Sequence, residues 1–143
     1  MSAEIGMLKG VEIARWTVLA AAIEAAATGL VLFARPSWFA RLVFGSEFSD
    51  AGSALGRLTS IALLGLTLAT WPSGAVGPLP SSVRALMTYN VLAAIYLLYL
   101  AIGHQLTGIL LWPAIALHAI LVIFLGHAWL AKRDRESAED FSI

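Results

Sequence analysis

Four long apolar stretches, each interrupted by one strongly polar side chain, set the pattern of this chain. The first, from about 13 to 34, reads IARWTVLAAAIEAAATGLVLFA and carries Glu24 near its centre. The second, about 54–71, holds Arg57 one turn in; the third, about 83–102, holds Asn90; the fourth, about 109–130, holds His118. At about 1.5 Å per residue such stretches match the roughly 30 Å of a bilayer's hydrocarbon core. The pattern predicts an all-α fold: an integral membrane four-helix bundle, one transmembrane domain over 1–143, with a short interfacial amphipathic segment between helices 1 and 2.

The breaks between the stretches carry their own signals. Arg35-Pro36 ends the first helix, because the residue before proline avoids helical geometry. Residues 36–45 are too few to span and predict two turns, with Ser37 as a cap and Gly45 as a stop. Trp38, Phe39, Phe44 and Phe48 suit a connector lying along the membrane surface, and a lid over a ligand cavity is a second reading of the same segment. Asp50 to Ser53 are the expected cap of the second helix, and Pro72 its end. The stretch 72–81 has three prolines, two glycines and no charge, and reads as loop. Gly103 to Gly108 make a turn short enough to force helices 3 and 4 into antiparallel neighbours. Residues 1–11 either extend the first helix or lie at the interface, and the charged tail 132–143 is expected to be flexible and frayed.

Composition agrees with the pattern. Of 143 residues 59% are hydrophobic and 13% charged, against about 25% charged in soluble domains. Formal net charge is zero, so nothing points to nucleic acid. The absence of cysteine excludes disulfides, thiol chemistry, thiolate metal sites and iron–sulfur clusters. The first apolar run exceeds the roughly 7–15 residues of a signal-peptide core, and Glu24 interrupts it, so a retained helix is expected. Lys9, Arg15, Arg84, Lys132, Arg133 and Arg135 fall on one side of the predicted bundle and Arg35, Arg41 and Arg57 on the other. That bias predicts both termini in the cytoplasm, in a cell inner membrane.

Small residues shape the first helix. Ala21, Ala25 and Gly29 repeat at spacing four, the pattern that lets helix backbones approach closely. This line serves internal packing or self-association equally well, so a homo-oligomer or a larger membrane complex stays open beside the lipid bilayer as partner. Glu24 sits on the adjacent line with Ala20 and Thr28.

An ionisable residue within a span costs about 2.5–3.5 kcal/mol on insertion scales and needs a reason. Glu24, Asn90 and His118 lie at similar depth in their helices. Arg57 lies higher by roughly 9 Å, within reach if its long side chain points inward, or free to snorkel outward. Tyr89 and Tyr96, seven apart, share a helix face. Glu24, Arg57, Asn90, His118, Tyr89 and Tyr96 are therefore the candidate ligand-binding residues. A hydrogen-bonded centre that only fixes helix register accounts for the same residues. No catalytic residue is assigned. Haem is disfavoured: His104 falls in a loop, His127 near the opposite face, and His118 and His127 on opposite sides of one helix. No histidine pair has zinc spacing, so no metal site is predicted. No cofactor is called for, although a quinone-like ring stacking on Tyr89, Tyr96 or Trp112 is compatible with the sequence.

The layout resembles a known group. A small-residue first helix ends Gly29-Leu30-Val31-Leu32-Phe33-Ala34-Arg35-Pro36, an aromatic connector with Phe44-Gly45 follows, and Arg57 opens an apolar run, Leu58 to Gly65. Over most of the chain this resembles the DoxX-like small four-helix bacterial membrane proteins. The resemblance implies the same fold, and some members of that group are linked to quinone-dependent sulfur oxidation. Only the pattern at Arg57 and Gly65 carries over, and no catalytic residue comes with it. Three functions are thus weighed. The first is a membrane protein binding a hydrophobic or amphipathic small molecule in a polar-centred cavity, as an accessory subunit of a redox or transport system. The second is a structural or assembly protein with an architectural polar core. The third is a quinone-linked membrane oxidoreductase with Glu24 or His118 handling protons.

Overall fold

The structure, a computed structural model, describes residues 2–72, 80–103 and 106–140, with side chains from residue 10 to 131 in those ranges and at 133. All regular structure among the described residues is helical. The elements are α1 (Ser2–Ala34), α2 (Pro36–Phe39) running on as a π-helical turn (Ala40–Phe44), α3 (Asp50–Thr70), α4 (Pro80–Ile102) and α5 (Leu111–Asp140). Four segments are long and apolar enough to cross a membrane: Gly10–Ala34, Asp50–Thr70, Pro80–Ile102 and Leu111–Ala131. This is what an integral membrane protein requires, and their outward faces agree. Leu68 is 80% exposed, and Leu55, Leu58, Leu92 and Ile123 are exposed too, a cost in water that lipid removes.

Several boundaries differ from the sequence reading. The leader is helical from Ser2 and continuous with α1, and helical backbone runs through the charged segment to Asp140. Ser49, not Asp50 to Ser53, caps α3: its hydroxyl accepts the Gly52 N–H at 3.1 Å. Ser37 caps nothing; α2 begins with Pro36, whose missing N–H suits a first helical position. Gly45 closes the connector at φ 74°, the left-handed conformation that favours glycine. Of the expected loop 72–81, residues 73–79 lie outside the described residues, as do His104-Gln105, and α4 begins inside that stretch at Pro80, a residue suited to a first helical position.

The interior is built on small residues. Ala21, Ala22 and Ala25 are fully buried within the chain, and Gly29 meets α3 so closely that a Cβ there would stand 3.2 Å from the Ser60 carbonyl oxygen. The matching face of α3 is Gly56, Ser60, Leu63, Thr67 and Thr70, at alternating spacings of four and three. Thr67 crosses the contact to donate to the Ala22 carbonyl at 3.3 Å. The Ala21-Ala25-Gly29 line therefore serves packing between helices of one chain. Toward α4 and α5, Val18 and Ala21 pack with Val83 and Leu86 of α4 and Leu121 and Leu125 of α5. A second apolar cluster joins Val43 of the connector to Ala101 and Leu111, with Phe39, Phe44 and Leu97 around it. Along α4 and α5, Asn90 and His118 fall between these two clusters.

The connector is stitched to the segment entering α5. The Thr107 N–H donates to the Phe44 carbonyl at 3.1 Å and the Leu110 N–H to the Leu42 carbonyl at 2.8 Å. Gly108 packs directly on the Val43 carbonyl.

Candidate functional site

Asn90 anchors the site. It is fully buried on α4, and its amide nitrogen donates to the Leu86 carbonyl at 2.8 Å. That bond fixes which end of the amide is which, so the Asn90 oxygen is the atom facing His118 of α5, 2.8 Å from Nδ1. An amide oxygen only accepts, so Nδ1 carries a proton and donates. In the neutral ring Nε2 is then a lone pair. It points to the Glu24 carboxyl of α1, with Nε2 4.0 Å from Oε1. Thr28, one turn on from Glu24, donates to the same Oε1 at 3.0 Å. The other oxygen, Oε2, is buried and has no hydrogen-bond partner.

This arrangement has a chemical consequence. An ionised Glu24 and a neutral His118 would set acceptor against acceptor in a buried place, which is unfavourable on both sides. One proton, on the carboxyl or on the imidazole, relieves the conflict; so does a donor supplied by a bound molecule. The geometry thus favours a proton or a hydrogen-bond donor between these groups. Tyr89 flanks it, its ring standing edge-on to His118 with centroids 5.6 Å apart.

From this floor an apolar cavity of about 410 Å³ extends toward the connector. Val31 of α1, Leu97 of α4 and Ala114 and Leu117 of α5 form its walls, and Phe39, Leu42 and Val43 of the connector form its far end. Glu24, Thr28 and His118 are its polar lining. Pockets that take small organic molecules have this character, mostly apolar with a few convergent polar groups.

The structure brings together four of the six candidate residues: Glu24, Asn90, His118 and Tyr89. Arg57 is not among them. Gly56 and Ser60 face α1, and Arg57 lies about 100° around α3 from Gly56, which turns it outward. It lines a separate polar cavity with Arg35 and Arg41. Tyr96 is 60% exposed. Seven-residue spacing puts it on the line of Tyr89, but Tyr89 has His118 beside it and Tyr96 has no such cover. Trp112 is exposed as well. Thr28 and the connector residues were not among the candidates. Thr28 was legible as the residue four after Glu24, and Phe39, Leu42 and Val43 as one face at spacings of three and one. No group of three histidine or acidic side chains stands close enough to hold a metal among the described residues.

Replacing Asn90 by alanine should orphan His118 Nδ1–H in an apolar interior. We expect a loss of about 1–3 kcal/mol, visible as a lower melting temperature in detergent. An unchanged melting temperature would mean that the bond from Asn90 to His118 is not formed.

Comparison with protein-family models, with curated proteins and with solved structures yields no match to this chain. The functional reading accordingly rests on the geometry of the site.

Proposed function

We propose that the protein is a four-helix membrane bundle that binds a hydrophobic or amphipathic small molecule between its helices. The molecule's apolar part occupies the cavity under the connector, and its polar end meets Glu24 and His118. The observation that carries this reading is Glu24, which lines the polar end of an otherwise apolar cavity and whose Oε2 is buried without a hydrogen-bond partner in the protein. Native proteins rarely leave such an atom unsatisfied, and a bound donor satisfies it. The bundle sits in a bacterial inner membrane with both termini in the cytoplasm, as the six-to-three distribution of basic residues supports. The connector lies at the opposite interface, with Trp38 exposed there as an anchor. The protein acts as an accessory subunit of a redox or transport system. The resemblance to the DoxX-like group adds a quinone-linked reaction as one use of the same proton-holding pair.

A second reading has its own support. The fully buried Asn90 ties α4 to α5 through His118, as an architectural lock would. Filling the cavity separates the two. Ala114→Phe, on the α5 wall, should abolish any molecule that co-purifies with the protein in native mass spectrometry. Its melting temperature should stay close to wild type, since the new ring replaces the lost occupant. Wild-type protein with nothing bound, together with a variant that melts higher because the introduced ring fills the void, would leave the lock as the better account.

A further inference from the structure

At the connector end of the molecule, outside the cavity just described, a second cavity of about 590 Å³ opens among α1, α2 and α3. Its lining is polar: Arg35, Arg41 and Arg57, the hydroxyls of Ser37 and Ser53, and the Asp50 carboxylate. Three arginines from successive parts of the chain thus line one cavity. Arg41 is paired with Glu47. Arg35 lies over the Trp38 ring, 5.9 Å from its centroid. Among the described residues no carboxylate stands within ion-pair distance of Arg35 or Arg57. Against three positive charges stand Asp50 and Glu47, which leaves the cavity with one uncompensated positive charge.

A third cavity, of about 290 Å³, adjoins it. It is apolar and is lined by Trp38, Arg41 and Leu42. Trp38 and Arg41 therefore form the shared wall between a cationic chamber and an apolar groove. Trp38 is 62% exposed and Leu42 40% exposed. Both cavities lie at the ends of helices long enough to cross a bilayer. This puts them where headgroups meet acyl chains.

We infer that this paired cavity binds one anionic phospholipid, its phosphate among Arg35, Arg41 and Arg57 and its first acyl segment along Trp38 and Leu42. The guanidinium fork matches phosphate oxygens two at a time, and seryl hydroxyls add neutral donors. The single net positive charge matches a phosphodiester with one negative charge. It does not match a zwitterionic head, whose cationic group the arginines would repel. Free phosphate shares the anion chemistry but leaves the apolar groove unfilled, which is why the lipid is favoured. Tryptophan at the headgroup level and arginine with its stem in the apolar layer are the side chains this depth selects.

The test uses the full chain in detergent, titrated in native mass spectrometry with phosphatidylglycerol, phosphatidylcholine or inorganic phosphate. Wild-type protein should hold one phosphatidylglycerol about tenfold more tightly than phosphatidylcholine, the scale of one charge-assisted hydrogen bond to a charged group. The preference should weaken as salt is raised. The double variant Arg35→Gln, Arg57→Gln should lose it. Both arginines are exposed, so the variant should keep wild-type helicity, which circular dichroism checks. Arg57→Lys should keep part of the preference, because charge survives and the fork does not. Equal retention of both lipids by the wild type overturns the assignment, and that comparison needs no variant. A preference unchanged in the double variant overturns the named residues. Inorganic phosphate that binds alone and displaces phosphatidylglycerol overturns the lipid in favour of a soluble anion.

Discussion

Gly108→Ala should be among the most damaging single substitutions in the chain, lowering stability by about 3 kcal/mol or more. A Cβ on Gly108 would fall inside contact distance of the Val43 carbonyl group and next to the Leu42 carbonyl oxygen. These are backbone atoms, so no rotamer change clears the space. The carbonyls on either side, of Leu42 and Phe44, accept the N–H groups of Leu110 and Thr107. Moving the connector away to admit one methyl group therefore breaks those bonds in an apolar setting. It also separates Val43 from Ala101 and Leu111. At the usual entropy of unfolding for a chain of this size, that loss corresponds to a fall of roughly 10 °C in melting temperature. A variant that melts with the wild type would show that the connector and the α5 entry are not in contact. Because Leu42 and Val43 also close the cavity, the same variant should release any occupant faster than wild type.

Glu24→Gln should do the opposite: spare the fold and cost the ligand. The amide keeps the shape of the carboxyl, and its oxygen can still accept from Thr28. Its NH2 group then takes the place of Oε2, which has no hydrogen-bond partner in the protein to lose. Stability should stay within about 1 kcal/mol of wild type on that ground. A molecule that donates to Glu24 Oε2 meets a donor in the variant and loses the bond. Hydrogen bonds to charged or strongly polar groups are worth about 1.5–3 kcal/mol, so affinity for the occupant isolated from wild-type protein should fall about 10- to 100-fold. Retention of that occupant at the wild-type level would remove Glu24 from the binding site. A marked loss of stability instead, with no occupant in either protein, would favour the architectural lock.

The helices were legible in the sequence because length, apolarity and proline breaks each marked the same boundaries. Their pairing was legible in part. The line Ala21-Ala25-Gly29 announced a close neighbour, and the neighbour is α3 through Ser60 together with the α4 and α5 core residues. Within the candidate site, Glu24, Asn90 and His118 could be matched by depth, since rise per residue is nearly constant in a helix. What depth could not supply was direction. Arg57 has a side chain long enough to reach either way, and only the packing of Gly56 and Ser60 on α1 turned it out. Tyr96 failed for a related reason: a shared face guarantees common direction, and burial needs a partner at that height. Spacing could group Phe39, Leu42 and Val43 on one face of the connector, but not say what that face covers, because this follows from contacts with residues more than sixty positions away.

The π-helical turn at Ala40–Phe44 fixes more than the shape of the connector. Each N–H in such a turn reaches one carbonyl further back than in an α-helix, so the segment accommodates an added residue without lengthening its axis. That added residue sets the angular phase of everything after Phe39. With it, Leu42 and Val43 look into the cavity while Arg41 looks toward the arginine cluster. Deleting a single residue within the turn would swing the following side chains by about 100° and exchange those outlooks. Two chambers of opposite character thus depend on one irregular loop of backbone, and a shortened chain would spoil both together while leaving the long helices intact.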